Sequence, residues 1–204
     1  MMLPSIDTLL DECGRLHGHV CPGQLLGVRM ALIGCRLIGI EDPRGADRKK
    51  LLVWVEIDRC MTDAVSAVTG ARLGRRSLKF VDLGKVAATF LNLESGEAVR
   101  IAALEEAREL ADVRYGEIPL RRERQLRAYR EATESEIFKI ERVSVNYSEL
   151  DLPGRPRSRI ICVGCLEGVN DGREVEASLG ALCRSCASGS YYTHASDKAG
   201  GAIP

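Results

Sequence analysis

Two Cys-X-X-Cys pairs, Cys162–Cys165 and Cys183–Cys186, constrain this chain more than any other feature. Each pair presents two thiols from one tight turn, and 17 residues separate the pairs. Two such turns complete a tetrahedral four-thiolate shell, the arrangement that suits a structural zinc ion. Gly164 supplies the permissive backbone that the first turn needs. Four thiolates fill the shell and leave His194 outside it, so the expected role is structural rather than catalytic. The ion would hold together a segment of about 45 residues that is too small to be stable alone. Between the pairs, Asn170-Asp171-Gly172 reads as a hairpin turn, and the second pair can open a short helix. A treble-clef or zinc-ribbon module is the expected outcome.

Upstream of that module, the stretch LPGRPRSR holds two prolines and a glycine and reads as a linker. The boundary is placed there, giving a core domain at 1–152 and a linker with zinc module at 153–204. A chain of 204 residues with 45% hydrophobic content can bury one full core beside such a module. Lys and Arg total 29, matching 29 Asp and Glu, so the whole chain has no bias toward nucleic acid or anionic lipid. Aromatics make up only 4%, too few for base-stacking surfaces, and nucleic acid is not an expected partner. No apolar run approaches the roughly 20 residues that span a bilayer, and MMLPSIDTLLDEC lacks the basic start of a signal peptide. A cytoplasmic protein without membrane contact is expected. In that reducing compartment the eight cysteines read as metal ligands or reactive thiols, not disulfides.

The core reads as α+β, a mixed helix and antiparallel-sheet domain. Ser5 can cap a first helix with Ile6, Leu9, Leu10 and Cys13 on one face, breaking near Gly14 and Gly18. Pro22 suits the first turn of a second helix that continues through Leu25, Leu26, Met30 and Ile33. Leu51 to Ile57 reads as a buried strand and Thr62 to Thr69 as a short helix ended by Gly70. Ser77 to Leu93 reads as two strands, LKFVDLG and KVAATFLN, set as a hairpin, with AVRIA following the Ser95-Gly96-Glu97 turn. Ala102–Val113 and Pro119–Ala132 read as helices, and Phe138–Val145 as a strand. The arginines of the second of these helices, Arg121 to Arg130, read as a solvated face.

Near the N-terminus, His17-Gly18-His19-Val20-Cys21 concentrates two of the three histidines beside a thiol, just before the Pro22 helix start. Three readings compete. The imidazoles can satisfy helix-end backbone groups, with Cys21 a small buried hydrophobe. They can join Cys21 in an open metal site. Alternatively, Cys21 is a nucleophile or redox thiol, its pKa lowered by a helix N-terminus and a neighbouring histidine. Cys60, between a buried strand and a helix, adds weight to both sharper readings, and a second metal at His17, His19, Cys21 and Cys60 is the corresponding expectation. Cys13 and Cys35 sit on apolar helix faces and read as core.

HGHVCPGQLLGVRMA, VEIDRCMTDAVSAVTGARLG and SLKFVDLGKVAATFLN, in that order, closely resemble the FmdE family, over about residues 10 to 102. That family takes its name from a component of molybdenum formylmethanofuran dehydrogenase, and residues 162 to 186 resemble the zinc-finger tail of some members. The resemblance implies an α+β core that pairs into a homodimer, with a cleft lined by matching positions. These are His17, His19, Cys21, Pro22 and Gly23, then Cys60 and Asp63, then Lys79, Asp82, Gly84 and Lys85. It implies an association with one-carbon and molybdenum or tungsten metabolism rather than a particular reaction.

His17, His19, Cys21, Cys60, Asp63, Lys79 and Lys85 are thus the candidate active-site residues, and Cys162, Cys165, Cys183 and Cys186 the candidate zinc ligands. Asp63 can orient an imidazole, and the two lysines can lower a thiol pKa or bind an anion. The expectation is a metal-binding protein with a Cys/His site acting on a small anionic metabolite. The sequence does not decide whether it is an enzyme. The alternative is a non-enzymatic metal-delivery accessory, or a zinc-finger regulator that contacts a protein or nucleic acid through Arg155, Arg157 and Arg159.

Overall fold

Ser5 acts as the expected cap, its hydroxyl accepting from Thr8 N–H at the start of α1 (Ile6–His17). The computed structural model describes residues 4–195. Chain contacts divide it into two units, one through Asn146 and one from Tyr147. The first holds α1, α2 (Pro22–Leu37), β1 (Leu51–Val55), α3 (Cys60–Thr69), β2 (Leu78–Phe80), β3 (Ala87–Asn92) and β4 (Ala98–Ala103). It continues through α4 (Glu106–Arg114), α5 (Arg121–Glu131), α6 (Glu134–Ile137) and β5 (Phe138–Arg142). This is an α+β fold. No helix among the described residues is long and apolar enough to cross a membrane.

The five strands form one sheet in the order β2-β1-β3-β4-β5. On one face Leu51, Val53 and Val55 of β1, Ala88 and Phe90 of β3, and Val99 and Ile101 of β4 are buried, following the period-2 alternation of strands. Leu25, Val28, Met30 and Ile33 of α2 and Met61, Val65 and Val68 of α3 belong to the same apolar core. Two glycines let this layer close. A Cβ on Gly27 would stand 2.5 Å from Met61 O and 2.8 Å from Ala64 Cβ, and one on Gly34 would run into the Phe90 ring. The α2 backbone therefore lies against α3 at one position and against β3 two turns later.

The sheet departs from expectation at one edge. β2 and β3 do not form a hairpin: β3 pairs antiparallel with β1, while β2 pairs parallel with β1 on its other side, Trp54 opposite Lys79. The apolar run of β1, buried at Leu51, Leu52, Val53 and Val55, is what a strand covered on both faces requires. Ala102 and Ala103 belong to β4, so the following helix starts only at Glu106.

The second unit contains β6 (Arg159–Ile161), β7 (Gly168–Asn170), β8 (Glu174–Ala177), β9 (Gly180–Cys183) and α7 (Arg184–Ser188). β6 pairs with β7 and β8 with β9, both antiparallel. Asn170-Asp171-Gly172 is consequently a connector between two hairpins rather than a hairpin turn. Its backbone takes the positive φ expected of such residues, 57° at Asp171 and 66° at Gly172. The first hairpin turns through the Cys162–Cys165 knuckle instead. Ahead of it, residues 148–151 form a capped turn, and Arg157 pairs with Glu149.

Candidate functional site

The N-terminal cluster is shaped by a sharp reversal between α1 and α2. His17 is the last residue of α1, and Gly18 follows with φ 92°, a left-handed conformation that ends the helix. The chain then folds back over Gly14, where a Cβ would come within 2.7 Å of Val20 Cγ2. Gln24, fully buried, fixes the far side of the turn. Its Oε1 accepts from Cys21 N–H at 3.0 Å and its Nε2 donates to Cys13 O at 3.1 Å, joining the start of α2 to α1. Arg122 of α5 adds a hydrogen bond to Val20 O.

Donor atoms of His17, His19 and Cys21 come to lie within 4.8 Å of one another, close enough for one metal ion. The two imidazole centroids are 5.0 Å apart. Asp63, in the first turn of α3, accepts from His17 Nδ1–H at 2.9 Å. That contact selects the tautomer with Nε2 as the remaining lone-pair atom, as a carboxylate does behind a metal-bound histidine. Cys21, His17 and Asp63 also have the composition of a Cys-His-Asp nucleophile relay.

Cys60, the first residue of α3, stands beside Cys21, the residue that caps α2. Burial, then the hydrogen-bonding contact and charge of Cys21, push the Cys60 thiol up. Both thiols border a cavity of about 250 Å³. Pro22, Leu26, Met61 and Val86 give it an apolar wall, and Arg59, Glu105, Arg108, Gln125 and Tyr129 a polar one. None of these five polar residues was singled out by sequence. Arg59 adjoins Cys60 and was the one within reach of local reasoning. The others come from α4 and α5, whose approach to the cavity has no local signal. Lys79 and Lys85 are not among the lining residues. Lys79 lies on edge strand β2, and Lys85 is exposed on the segment before β3, where its N–H donates to Glu56 O. Asp82 and Gly84 occupy the same exposed segment.

In the second unit, the four thiols of Cys162, Cys165, Cys183 and Cys186 also lie within 4.8 Å of one another. Cys162 Sγ accepts from Cys183 N–H at 3.1 Å and from Gly164 N–H at 3.4 Å, and Cys183 Sγ accepts from Cys186 N–H at 3.4 Å. The backbone N–H groups of Cys183, Cys165 and Gly164 lower the Cys162 thiol to about 6, whereas crowding by the other thiols, Cys183 first, pushes Cys186 to about 12. Four sulfurs this close can be deprotonated together only around a cation, so the donor set fits a metal ion. Gly164 leaves the room they need, since a Cβ there would sit 3.2 Å from Cys186 Sγ.

A family model described as "FmdE, Molybdenum formylmethanofuran dehydrogenase operon" matches residues 16–145. A probable S-adenosyl-L-methionine-binding protein of Archaeoglobus fulgidus is 39% identical over 94 residues, 46% of this chain. The match spans 26% of that relative's length. The crystal structure of a tungsten formylmethanofuran dehydrogenase FmdE-like protein from Syntrophus aciditrophicus superposes with a TM-score of 0.62. It covers 93% of this chain and 96% of the other at 24% identity, a likeness of fold.

Proposed function

The chain belongs to the FmdE family, and on that footing we propose that its core carries an open metal site at His17, His19 and Cys21, beside the cleft, while Cys162, Cys165, Cys183 and Cys186 hold a structural zinc ion. The convergence of three donor groups within 4.8 Å carries this reading. With Nδ1 engaged by Asp63, His17 offers Nε2 as ligand. Three protein ligands leave a further coordination position, and a metal there would supply Lewis acidity or an activated water. The residues around it have defined tasks. Asp63 orients the imidazole, Cys60 offers a second thiol, and the apolar wall excludes water from one side of a bound molecule.

The reaction class is a metal-assisted or thiol-dependent conversion of a small anionic metabolite, in the one-carbon and molybdenum or tungsten setting that the family's name implies. S-adenosyl-L-methionine, named for the archaeal relative, belongs in the first ligand screen. A homodimer in the cytoplasm completes the proposal and is checked by light scattering and cell fractionation. The second reading is a metal-delivery accessory, favoured by the exposure of His19, which would leave an ion accessible to another protein.

Metal content per chain, measured by plasma mass spectrometry on untagged protein, tests the site. About two ions per chain, falling to about one in His17→Ala/Cys21→Ala, is expected. About one in both proteins refutes the N-terminal metal and leaves Cys21 as a nucleophile relayed through His17 and Asp63. Delivery instead of catalysis predicts an N-terminal ion lost to a mild chelator while the four-cysteine site keeps its own.

A further inference from the structure

The polar lining of the cleft has no task in the metal reading. Three helices begin at its wall: Pro22 and Gly23 open α2, Cys60 and Met61 open α3, and Glu105 caps α4. The N–H groups of Gly23, Cys60, Met61 and Glu106 have no backbone carbonyl partner among the described residues, and each helix start carries the positive end of the macrodipole. Three of them at one cavity favour an anion.

An independent observation comes from α5. Tyr129 is only 3% exposed and lines the same cavity, yet its hydroxyl has no hydrogen-bond partner among the described residues. The hydroxyl is not sealed in the interior, so it opens on the cavity and is free to donate to a molecule bound there. Arg29 of α2 donates to Tyr129 O and ties this residue's backbone to α2. Burial pushes the phenol up, outweighing the opposing charges of Arg108 and Arg121, so it remains a donor at neutral pH. The charges of this lining do not cancel. Glu105 is offset by Arg108 at 3.2 Å, whereas Arg59 has no ion-pair partner among the described residues.

We propose that this polar lining is an anion subsite, where the Arg59 guanidinium, the Tyr129 hydroxyl and the helix-start N–H groups bind the carboxylate or phosphate of a small metabolite. The inference rests on the cleft being the substrate site of the proposed function, and it moves anion recognition from Lys79 and Lys85 to residues that line the cavity. At about 250 Å³ the space falls below the roughly 300–1,000 Å³ of drug-sized sites. It therefore suits a short organic acid or a small phosphate ester.

Iodoacetate and iodoacetamide provide the test, because they differ by one charge and alkylate a thiolate by the same displacement of iodide. Their rate ratio at Cys60, read by peptide mass spectrometry on the full chain as purified, isolates the effect of that charge. The subsite predicts saturable alkylation by iodoacetate and a ratio that falls roughly tenfold in Tyr129→Phe and in Arg59→Gln. Phenylalanine fills the same space and loses only the unpartnered hydroxyl, and Arg59 is exposed, so both variants keep the fold. Competition by inorganic phosphate alone assigns a phosphate ester, and by succinate alone a carboxylic acid. A ratio unchanged in both variants overturns the subsite, as does a Cys60 that reacts with neither reagent. Metal content of His17→Ala/Cys21→Ala decides the metal site separately, since neither Arg59 nor Tyr129 is a proposed ligand.

Discussion

Asp63 lies 46 residues from His17 along the chain, and only the packing of α1 against α3 makes them partners. Replacing it by asparagine removes the charge that, in the proposed site, would make His17 a strong ligand. Asp63→Asn is therefore expected to weaken N-terminal metal binding about 10- to 100-fold, measured by chelator competition, with the far-ultraviolet circular dichroism unchanged. Unaltered affinity would reject the orienting role. Cys13 and Cys35 behave differently. Burial raises their thiols to about 11 and about 12, against an ordinary value of 9.0. A folded chain that holds these protons more tightly than the unfolded one loses stability as pH rises from about 9 toward about 12. Cys35→Ala should accordingly flatten the fall of Tm above pH 9, recorded as alkaline melting curves of both proteins. Their place on apolar helix faces made both legible as core residues. Gln24, buried on the stripe of α2, was not, because its two hydrogen bonds reach a turn and a helix that periodicity does not place.

At the scale of elements, the close approach of α2 to α3 sets Cys60 beside Cys21, and Gly27 permits it. Gly27→Ala is expected to destabilise the fold by about 1–3 kcal/mol, read from denaturant unfolding. It should also slow oxidative pairing of Cys21 with Cys60, since α3 must move outward. If diamide forms the Cys21–Cys60 disulfide as fast in the variant as in the parent, Gly27 does not control their spacing. Helix starts and ends were readable where their chemistry is local, as at Ser5, Pro22 and Gly70. Strand partners were not. LKF and AATFLN are each convincing strands, but the pairing of β2 with β1 rather than β3 depends on which backbone edges meet, and side-chain alternation is silent on that.

Over the whole molecule, the two units rest on different sources of stability. The first buries a large apolar core, while among the described residues from Tyr147 onward only Cys162 and Asp171 are buried. A segment with so little interior needs a cross-link, which the proposed ion at the four cysteines would supply. Removing that ion with a strong chelator is expected to abolish amide hydrogen-exchange protection over 159–183 and leave it intact over 51–103. Retained protection in the first segment would show that the module folds without metal.

Sequence alone determined the parts whose geometry is set within a few bonds. Two Cys-X-X-Cys turns, and a His-Gly-His-Val-Cys run ahead of a proline, bring donor atoms together by backbone curvature that neighbouring residues dictate. Tertiary structure decided the rest. Cys60 joins Cys21, Asp63 reaches His17, and Arg59 and Tyr129 share one cavity only because α1, α2, α3 and α5 pack as they do. Each of those meetings depends on side chains filling a common interior, a condition on the whole chain that no local spacing records.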